Sequence, residues 1–253
     1  MTVFCHVSRI ESTPFVSPIQ VVPGCLQIRC GAVSCHAFFD DEGVTLFDGG
    51  FPGIGVSLVA DALDQAGLAF SDVRAIIATH GHIDHTLNIA PLATRTGAPV
   101  HAPRDDAAHI AGTYPYRGIA RICGLLEAVA RRWFGYRVPS VDSWFEPGDI
   151  LPFWGGFRVV GLPGHTVGYC GYYSERRKLL LASDLFSVLY GFPKPPPPWF
   201  NTDPASMRAS ILAADRMDLS GGVLINHGIA KQPGEIRQDL HRLANRIAGR
   251  KSA

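Results

Sequence analysis

The chain of 253 residues contains no run of about 18 apolar residues such as a membrane span needs. Its first twenty residues lack a basic start followed by an apolar core, so no secretory signal is read there. Neither sign of charge is in excess: 23 Lys and Arg stand against 22 Asp and Glu, a formal net charge of +1. That balance gives no general attraction to nucleic acid or anionic lipid and leaves only a local patch open. Cys-x-x-Cys pairs are absent as well. The six cysteines, with Cys25, Cys30 and Cys35 evenly spaced and Cys5, Cys123 and Cys170 scattered, make no disulfide scaffold in a chain this long. The even triplet reads either as reduced, buried thiols or as a thiolate metal site. Hydrophobic residues at 47% suffice for a sizeable core, and charged residues at 18% are too few for a disordered chain. The expectation is a cytoplasmic globular protein with no nucleic-acid or membrane partner, and self-association left open.

What is present is a succession of short apolar runs. Gln20–Arg29, broken by Pro23-Gly24, Val33–Phe39 and Val44–Phe47 read as strands, the last stopped by Asp48-Gly49-Gly50. Val56, Val59, Ala60 and Leu63 have the spacing of one helical face, predicting a helix over Val56–Gln65. A strand over Val73–Thr79, a helix over Thr86–Thr96 closed by Gly97, and a strand over Ala98–Ala102 follow. Residues 103–154 read as an insertion with a helix near Ile119–Phe134. Phe157–Gly161, Gly168–Tyr173 and Leu179–Ala182 read as one antiparallel group. Tyr190–Asp203 reads as a proline-stiffened loop. Asp203-Pro204 opens a helix to about Met217 as N-cap and N1 proline. Val223–Asn226 is the last strand, and Pro233–Ala248 is an amphipathic helix with Ile236, Leu240, Leu243 and Ile247 on one face. With no linker or low-complexity stretch, residues 1–253 form a single domain in which two sheets pack face to face under outer helices.

The chemistry sits where apolar runs end. Asp48 follows Val44–Phe47, and His80-Gly81-His82-Ile83-Asp84-His85 follows Val73–Thr79. His165 lies in Pro163-Gly164-His165, Asp184 follows Leu179–Ser183, and His227 follows Val223–Asn226. Strand ends converging on one edge of a sandwich bring such side chains together. In extended chain, residues two apart point the same way, so His80 and His82 can grip one cation from one side. Imidazole and carboxylate suit zinc, and also iron or manganese. Four polar groups within six residues are costly to bury without a cation.

His80-x-His82-x-Asp84-His85, Gly164-His165-Thr166, Ser183-Asp184 and His227-Gly228, with Asp48-Gly49-Gly50 ahead of them, resemble the metallo-β-lactamase superfamily of metal-dependent hydrolases. The resemblance implies an α/β fold, an αββα four-layer sandwich with the metal site at the edge of the two sheets. It implies one metal on His80, His82 and His165, a second on Asp84, His85 and His227, and Asp184 bridging both. Two divalent ions, taken as zinc, would activate a shared water for attack on a carbonyl, with Asp84 and Asp184 as the catalytic carboxylates. Asp48 is placed behind the ligands, orienting the histidines, or else as a solvent-facing turn residue. Where the family often has Gly-Gly, this chain has Leu87-Asn88, which leaves the ligands intact and bears on where the next helix starts.

Within the superfamily, the ligand set is that of lactonases and glyoxalase II. The 26 residues after His227 in the sequence are fewer than glyoxalase II uses for its glutathione-binding helical domain. Commoner zinc β-lactamases carry Cys at the position of Asp184, and nucleic-acid-processing members usually have extra binding parts. A small ester, lactone or thioester is therefore expected. The alternatives are a mononuclear-iron, persulfide dioxygenase-like oxidoreductase, a β-lactam or phosphodiester hydrolase, and a catalytically idle metal-binding module. Tyr190, Phe192, Trp199 and Phe200 are candidate pocket walls, or loop aromatics plugging the core. Tyr114, Tyr116, Trp133, Phe134 and Tyr136 would form a lid or subunit interface. Arg117, Arg121, Arg131, Arg132 and Arg137, against the single acid Glu127, would meet a substrate carboxylate or form a solvated face. His101 and His109 are read as structural.

Overall fold

In the computed structural model, residues 18–30, 33–50, 55–228 and 231–249 are described, apart from the Cys30 side chain. Cys5 lies outside them. The first sheet has seven strands in chain order: β1 (Ile19–Val22), β2 (Cys25–Cys30), β3 (Val33–Asp40), β4 (Gly43–Phe47), β5 (Val73–Ile77), β6 (Val100–Pro103) and β7 (Ser143–Phe145). The run expected over Gln20–Arg29 is thus two antiparallel strands. Pro23-Gly24 turns between them, with Gly24 at φ +79° and a Cβ there only 2.7 Å from the Trp154 indole nitrogen. From β4 onward the pairing becomes parallel. Helix α1 (Gly55–Gln65) supplies the first crossover, and α2 (Ile83–Thr86) with α3 (Ile89–Thr96) the second. Val59, Ala62, Leu63, Ile89 and Leu92 bury their side chains against the sheet.

The second sheet is built from β8 (Ile150–Leu151), β9 (Phe157–Gly161), β10 (Cys170–Ser174), β11 (Leu179–Ser183) and β14 (Gly222–Ile225), in the order β14-β11-β10-β9-β8. Strands β9, β10 and β11 are antiparallel as expected, whereas β14 runs parallel to β11 after the crossover helix α6 (Pro204–Asp215). The Asp203 carboxylate caps α6, accepting from the Ala205 and Ser206 N–H groups at 2.9 and 3.2 Å. Helix α7 (Pro233–Ile247) packs beside it through Ile236, Leu240 and Leu243. Between the sheets lie Phe38, Phe47, Trp154, Phe157 and Tyr172. Phe38, Phe47 and Phe157 meet edge to face at centroid distances of 5.0–5.3 Å, contacts worth about 1 kcal/mol each beyond area burial. The order of layers is helices, sheet, sheet, helices.

Three elements depart from the sequence pattern. The helix expected over Thr86–Thr96 is two pieces broken at Asn88 (φ −98°, ψ 2°), whose amide donates to the Gly49 and Gly50 carbonyls at 2.9 Å each. This is the Leu87-Asn88 position noted above, and the break lets the first piece begin inside the histidine cluster. The Tyr190–Asp203 loop is preceded and partly formed by a hairpin, β12 (Ser187–Leu189) and β13 (Phe192–Lys194). Its two-residue turn, Tyr190-Gly191, has positive φ at both positions (52° and 79°), the backbone that matches the twist of paired strands. In the 103–154 stretch, β7 and β8 join the two sheets, and helices α4 (Ala107–Ala111) and α5 (Arg121–Trp133) are what stands off them.

Candidate metal centre

Each chemical side chain follows the C-terminal end of a strand: Asp48 after β4, His80 and His82 after β5, His165 after β9, Asp184 after β11 and His227 after β14. Parallel register explains why they meet. Phe47 is level with Ile77 and Ser183 with Ile225, so the loops that follow leave each sheet at one end. Asp48 and Ser183 hold positive φ (67° and 47°), turning the chain sharply as it leaves β4 and β11. Asp tolerates this conformation because its short side chain can bond locally.

Two groups of donors result. The imidazoles of His80, His82 and His165 form one, and Asp84, His85, Asp184 and His227 the other, with donor atoms in each group within 4.8 Å of one another. In the first, His82 Nδ1 and His165 Nε2 lie 3.0 Å apart, and buried His80 Nε2 has no hydrogen-bond partner among the described residues. Burial, reinforced by the neighbouring imidazoles, pushes the His80 and His82 pKa values well below the usual range. Neutral imidazoles are the form a cation needs. In the second group, Asp184 Oδ2 lies 3.2 Å from His85 Nε2, 3.1 Å from His227 Nε2 and 3.5 Å from His165 Nε2. Asp184 therefore touches both groups, while its Oδ1 is buried and unpartnered among the described residues. Burial alone would lower the His227 pKa; Asp184 and Asp84 instead hold it up at about 10. Converging lone pairs, an orphaned nitrogen and an orphaned carboxylate oxygen fit divalent cations.

Asp48 is buried rather than solvent-facing. It accepts from the Thr79 N–H (2.7 Å), the Thr79 hydroxyl (2.8 Å) and the Asn226 amide (2.7 Å), and its Oδ2 lies 2.8 Å from His85 Nδ1. The imidazole proton on Nδ1 then leaves Nε2 aimed into the centre. His165 is oriented likewise, with Nδ1 2.9 Å from Asn201 Oδ1.

Two supporting residues carried no motif in the sequence. Asp106, fully buried, accepts from the Gly81 N–H (2.8 Å), the Thr166 hydroxyl (2.6 Å) and the Gly168 N–H (2.7 Å), tying the His80–His82 loop to the His165 loop. Glu127 on α5 accepts from the Ile83 N–H at 3.0 Å and the Tyr116 hydroxyl at 2.9 Å, fixing the start of α2 and so the backbone of Asp84 and His85. Glu127 was visible only as the single acid among arginines. Asp106 offered no signal, since its partners are 25 to 62 residues away.

A cavity of about 370 Å³ opens over the donors, lined by Asp84, Asp184 and His227 and by apolar Ile83, Leu126, Phe186, Leu189, Pro197 and Phe200. Of the four aromatic residues expected as walls, only Phe200 lines it. Tyr190 (91% exposed) tips the hairpin, Phe192 (64% exposed) sits on its return strand, and Trp199, in the proline-rich stretch that follows, is 40% exposed. His109 is buried, stacked on Tyr114 at 3.8 Å and pushed down to about 3 chiefly by burial, while His101 packs edge-on to Phe153 at 5.4 Å. Arg131 donates to the His109 and Ile110 carbonyls. Cys25, Cys123 and Cys170 are reduced and buried, and Cys35 is buried too.

Residues 28–225 match the profile of the Metallo-beta-lactamase superfamily. The chain belongs to the metallo-β-lactamase superfamily. The Bacillus subtilis (strain 168) protein named "Probable metallo-hydrolase YflN" is 26% identical over 223 residues, 80% of this chain and 82% of its own. A Bdellovibrio bacteriovorus protein named hydroxyacylglutathione hydrolase is 28% identical over 122 residues, 47% of this chain and 36% of its own. Among solved structures, the metallo-beta-lactamase family protein TTHA1429 of Thermus thermophilus superposes with a TM-score of 0.68 at 19% identity, covering 90% of this chain and 80% of that one. The subclass B3 metallo-beta-lactamase BJP-1 of Bradyrhizobium japonicum gives 0.66 at 18% identity, covering 92% and 93%. At these identities the structural likeness establishes the fold. Membership of the superfamily, with relatives named as metallo-hydrolases, makes this chain a metal-dependent hydrolase. No helix among the described residues is long and apolar enough to cross a membrane.

Proposed function

We propose that the chain holds two divalent cations, zinc in the first instance with iron or manganese as chemically suitable alternatives, and hydrolyses an ester, lactone or thioester bearing an apolar acyl group. His80, His82 and His165 would hold one ion, Asp84, His85 and His227 the other, and Asp184 both. The observation that carries this reading is Asp184, whose Oδ2 lies within 3.5 Å of a nitrogen in each group. Bound there, the ions would supply the Lewis acidity that polarises a carbonyl and acidifies water. Asp84 lines the cavity with a third of its side chain exposed, and would orient the attacking water and pass its proton to the leaving alcohol or thiol. Water then adds across the acyl bond, the acyl carbon taking hydroxyl and the leaving group hydrogen. Ile83, Leu126, Phe186 and Phe200 would seat the acyl chain and keep bulk water from it.

The test is turnover of lactones, aryl esters, thioesters including a glutathione thioester, β-lactams and phosphodiesters by protein of measured metal content. About two zinc ions per chain with carbonyl-ester turnover is the expected result. Turnover of phosphodiesters alone, or a single iron with oxygen uptake on a persulfide, overturns it.

A further inference from the structure

Helix α5 is inside out. Its residues Ile122, Leu125, Leu126, Val129 and Trp133 recur at intervals of three and four, the stripe that a helix of a globular protein ordinarily buries. Here all five are exposed, Trp133 to 81%, while the opposite side buries Cys123 and Glu127. Apolar surface continues across the cavity mouth. Leu126 and Leu189 both line the cavity and both reach solvent. Phe192 pairs directly with Leu189 across the hairpin and therefore shares its face. Tyr190 and Trp199 extend the exposed aromatic area.

Along the two segments that carry this surface, 107–141 and 185–202, the exposed charge has one sign. Arg121 and Arg132 fall on the helical row beside the stripe, at positions 121, 125, 128 and 132, with Arg117 and Arg137 just beyond each end of α5. All four are exposed, and none makes an ion pair to a described residue. Between Asp106 and Asp142 the only acid is Glu127, which is buried, and residues 185–202 contain none. A second copy docked face to face would bring arginines against arginines, with no exposed carboxylate from either segment to separate them. An apolar stripe ending in an exposed Trp and flanked by arginines is instead the composition that settles into the headgroup boundary of an anionic bilayer.

We propose that α5 and the β12–β13 hairpin form a docking surface for anionic phospholipid membranes, which places the cavity mouth against the lipid. This inference does not depend on which bond the centre hydrolyses.

The experiment is co-sedimentation of the metal-loaded full chain with vesicles of phosphatidylcholine, with and without phosphatidylglycerol. Binding is expected to the anionic vesicles and to weaken at high salt. Arg121→Gln and Arg132→Gln should each lower the partition about fivefold. Leu125→Asp with Val129→Asp should abolish it while leaving turnover of a short water-soluble substrate unchanged, because neither residue lines the cavity. Trp emission should shift to the blue on binding, and Trp133→Phe should remove most of that shift. The proposal is overturned if wild-type protein ignores anionic vesicles at low salt. It is equally overturned if the double Asp variant converts a solution dimer to monomer, or if vesicles bind only after residues 1–17 are deleted, since the face would then belong to a second copy or to the chain itself.

Discussion

At the scale of single residues, Asp184 and Asp106 illustrate two ways a buried carboxylate serves a site. Asp184 faces three imidazoles within 3.5 Å, which hold its pKa well below the usual range against the cost of burial. Asp184→Ala should remove at least one equivalent of bound metal and lower kcat roughly a hundredfold or more, read by metal analysis and steady-state kinetics. Unchanged metal content would remove its bridging assignment. Asp106 touches no donor atom of the centre; it holds two loops by their backbones. Asp106→Ala leaves the Gly81 and Gly168 N–H groups unpaired in the interior, at a cost of about 3 kcal/mol, measurable by denaturant unfolding. Metal affinity should fall with it, because His80, His82 and His165 lose their common strap. The candidate donors His80, His82, Asp84 and His85 stood out in the sequence because three histidines and an aspartate crowd into six positions. Asp106 and Asn201 were not, since a single Asp or Asn far along the chain has no local pattern to mark it.

At the scale of elements, the instructive case is the break between α2 and α3. Sequence periodicity predicts one helix from Thr86, yet Asn88 donates to two carbonyls of the Gly49-Gly50 turn and interrupts it. The break lets Asp84 and His85 occupy a helical turn of their own, capped by Glu127 through Ile83. Asn88→Ala should destabilise the chain by about 1–2 kcal/mol, since it removes the side-chain donor from the carbonyls of two buried glycines. It should also loosen metal binding, read as a lower chelator concentration needed to strip the protein. Should affinity survive the stability loss, the break has no role in shaping the centre. The β12–β13 hairpin was hidden for another reason: five prolines between 193 and 198 read as loop, and only pairing with β12 makes Phe192–Lys194 a strand. Strands of three and two residues, β7 and β8, are too short to show a period at all.

At the scale of the whole molecule, one contribution to stability in acid comes from between the sheets. His36 on β3 is fully buried, neither ring nitrogen has a partner among the described residues, and burial pushes its pKa down to about 3. Above pH 6.5 both folded and unfolded chains carry it neutral, and it makes no contribution to pH dependence. As pH falls from 6.5 toward 3 the unfolded chain takes up a proton that the folded one refuses, so stability drops by about 1.4 kcal/mol per pH unit. His36→Phe should flatten this slope: between pH 6.5 and 5.0 the variant should lose about 2 kcal/mol less than wild type in denaturant unfolding. Equal losses would show that His36 is protonated, or hydrated, in the folded state.

The sequence by itself determined the αββα layering and which polar side chains stand at the strand ends, because both are written in local signals: the period of apolar residues, and polar residues placed where apolar runs stop. Tertiary structure alone decided that Asp184 faces both groups of donors and that Asp106 straps their loops. It also decided that Tyr190 and Phe192 stay outside the cavity lining and that α5 shows its apolar stripe to solvent. These depend on which strand ends lie side by side and which helix face finds a neighbour. Such facts arise only when segments far apart in the chain pack together, and no spacing along the chain encodes them.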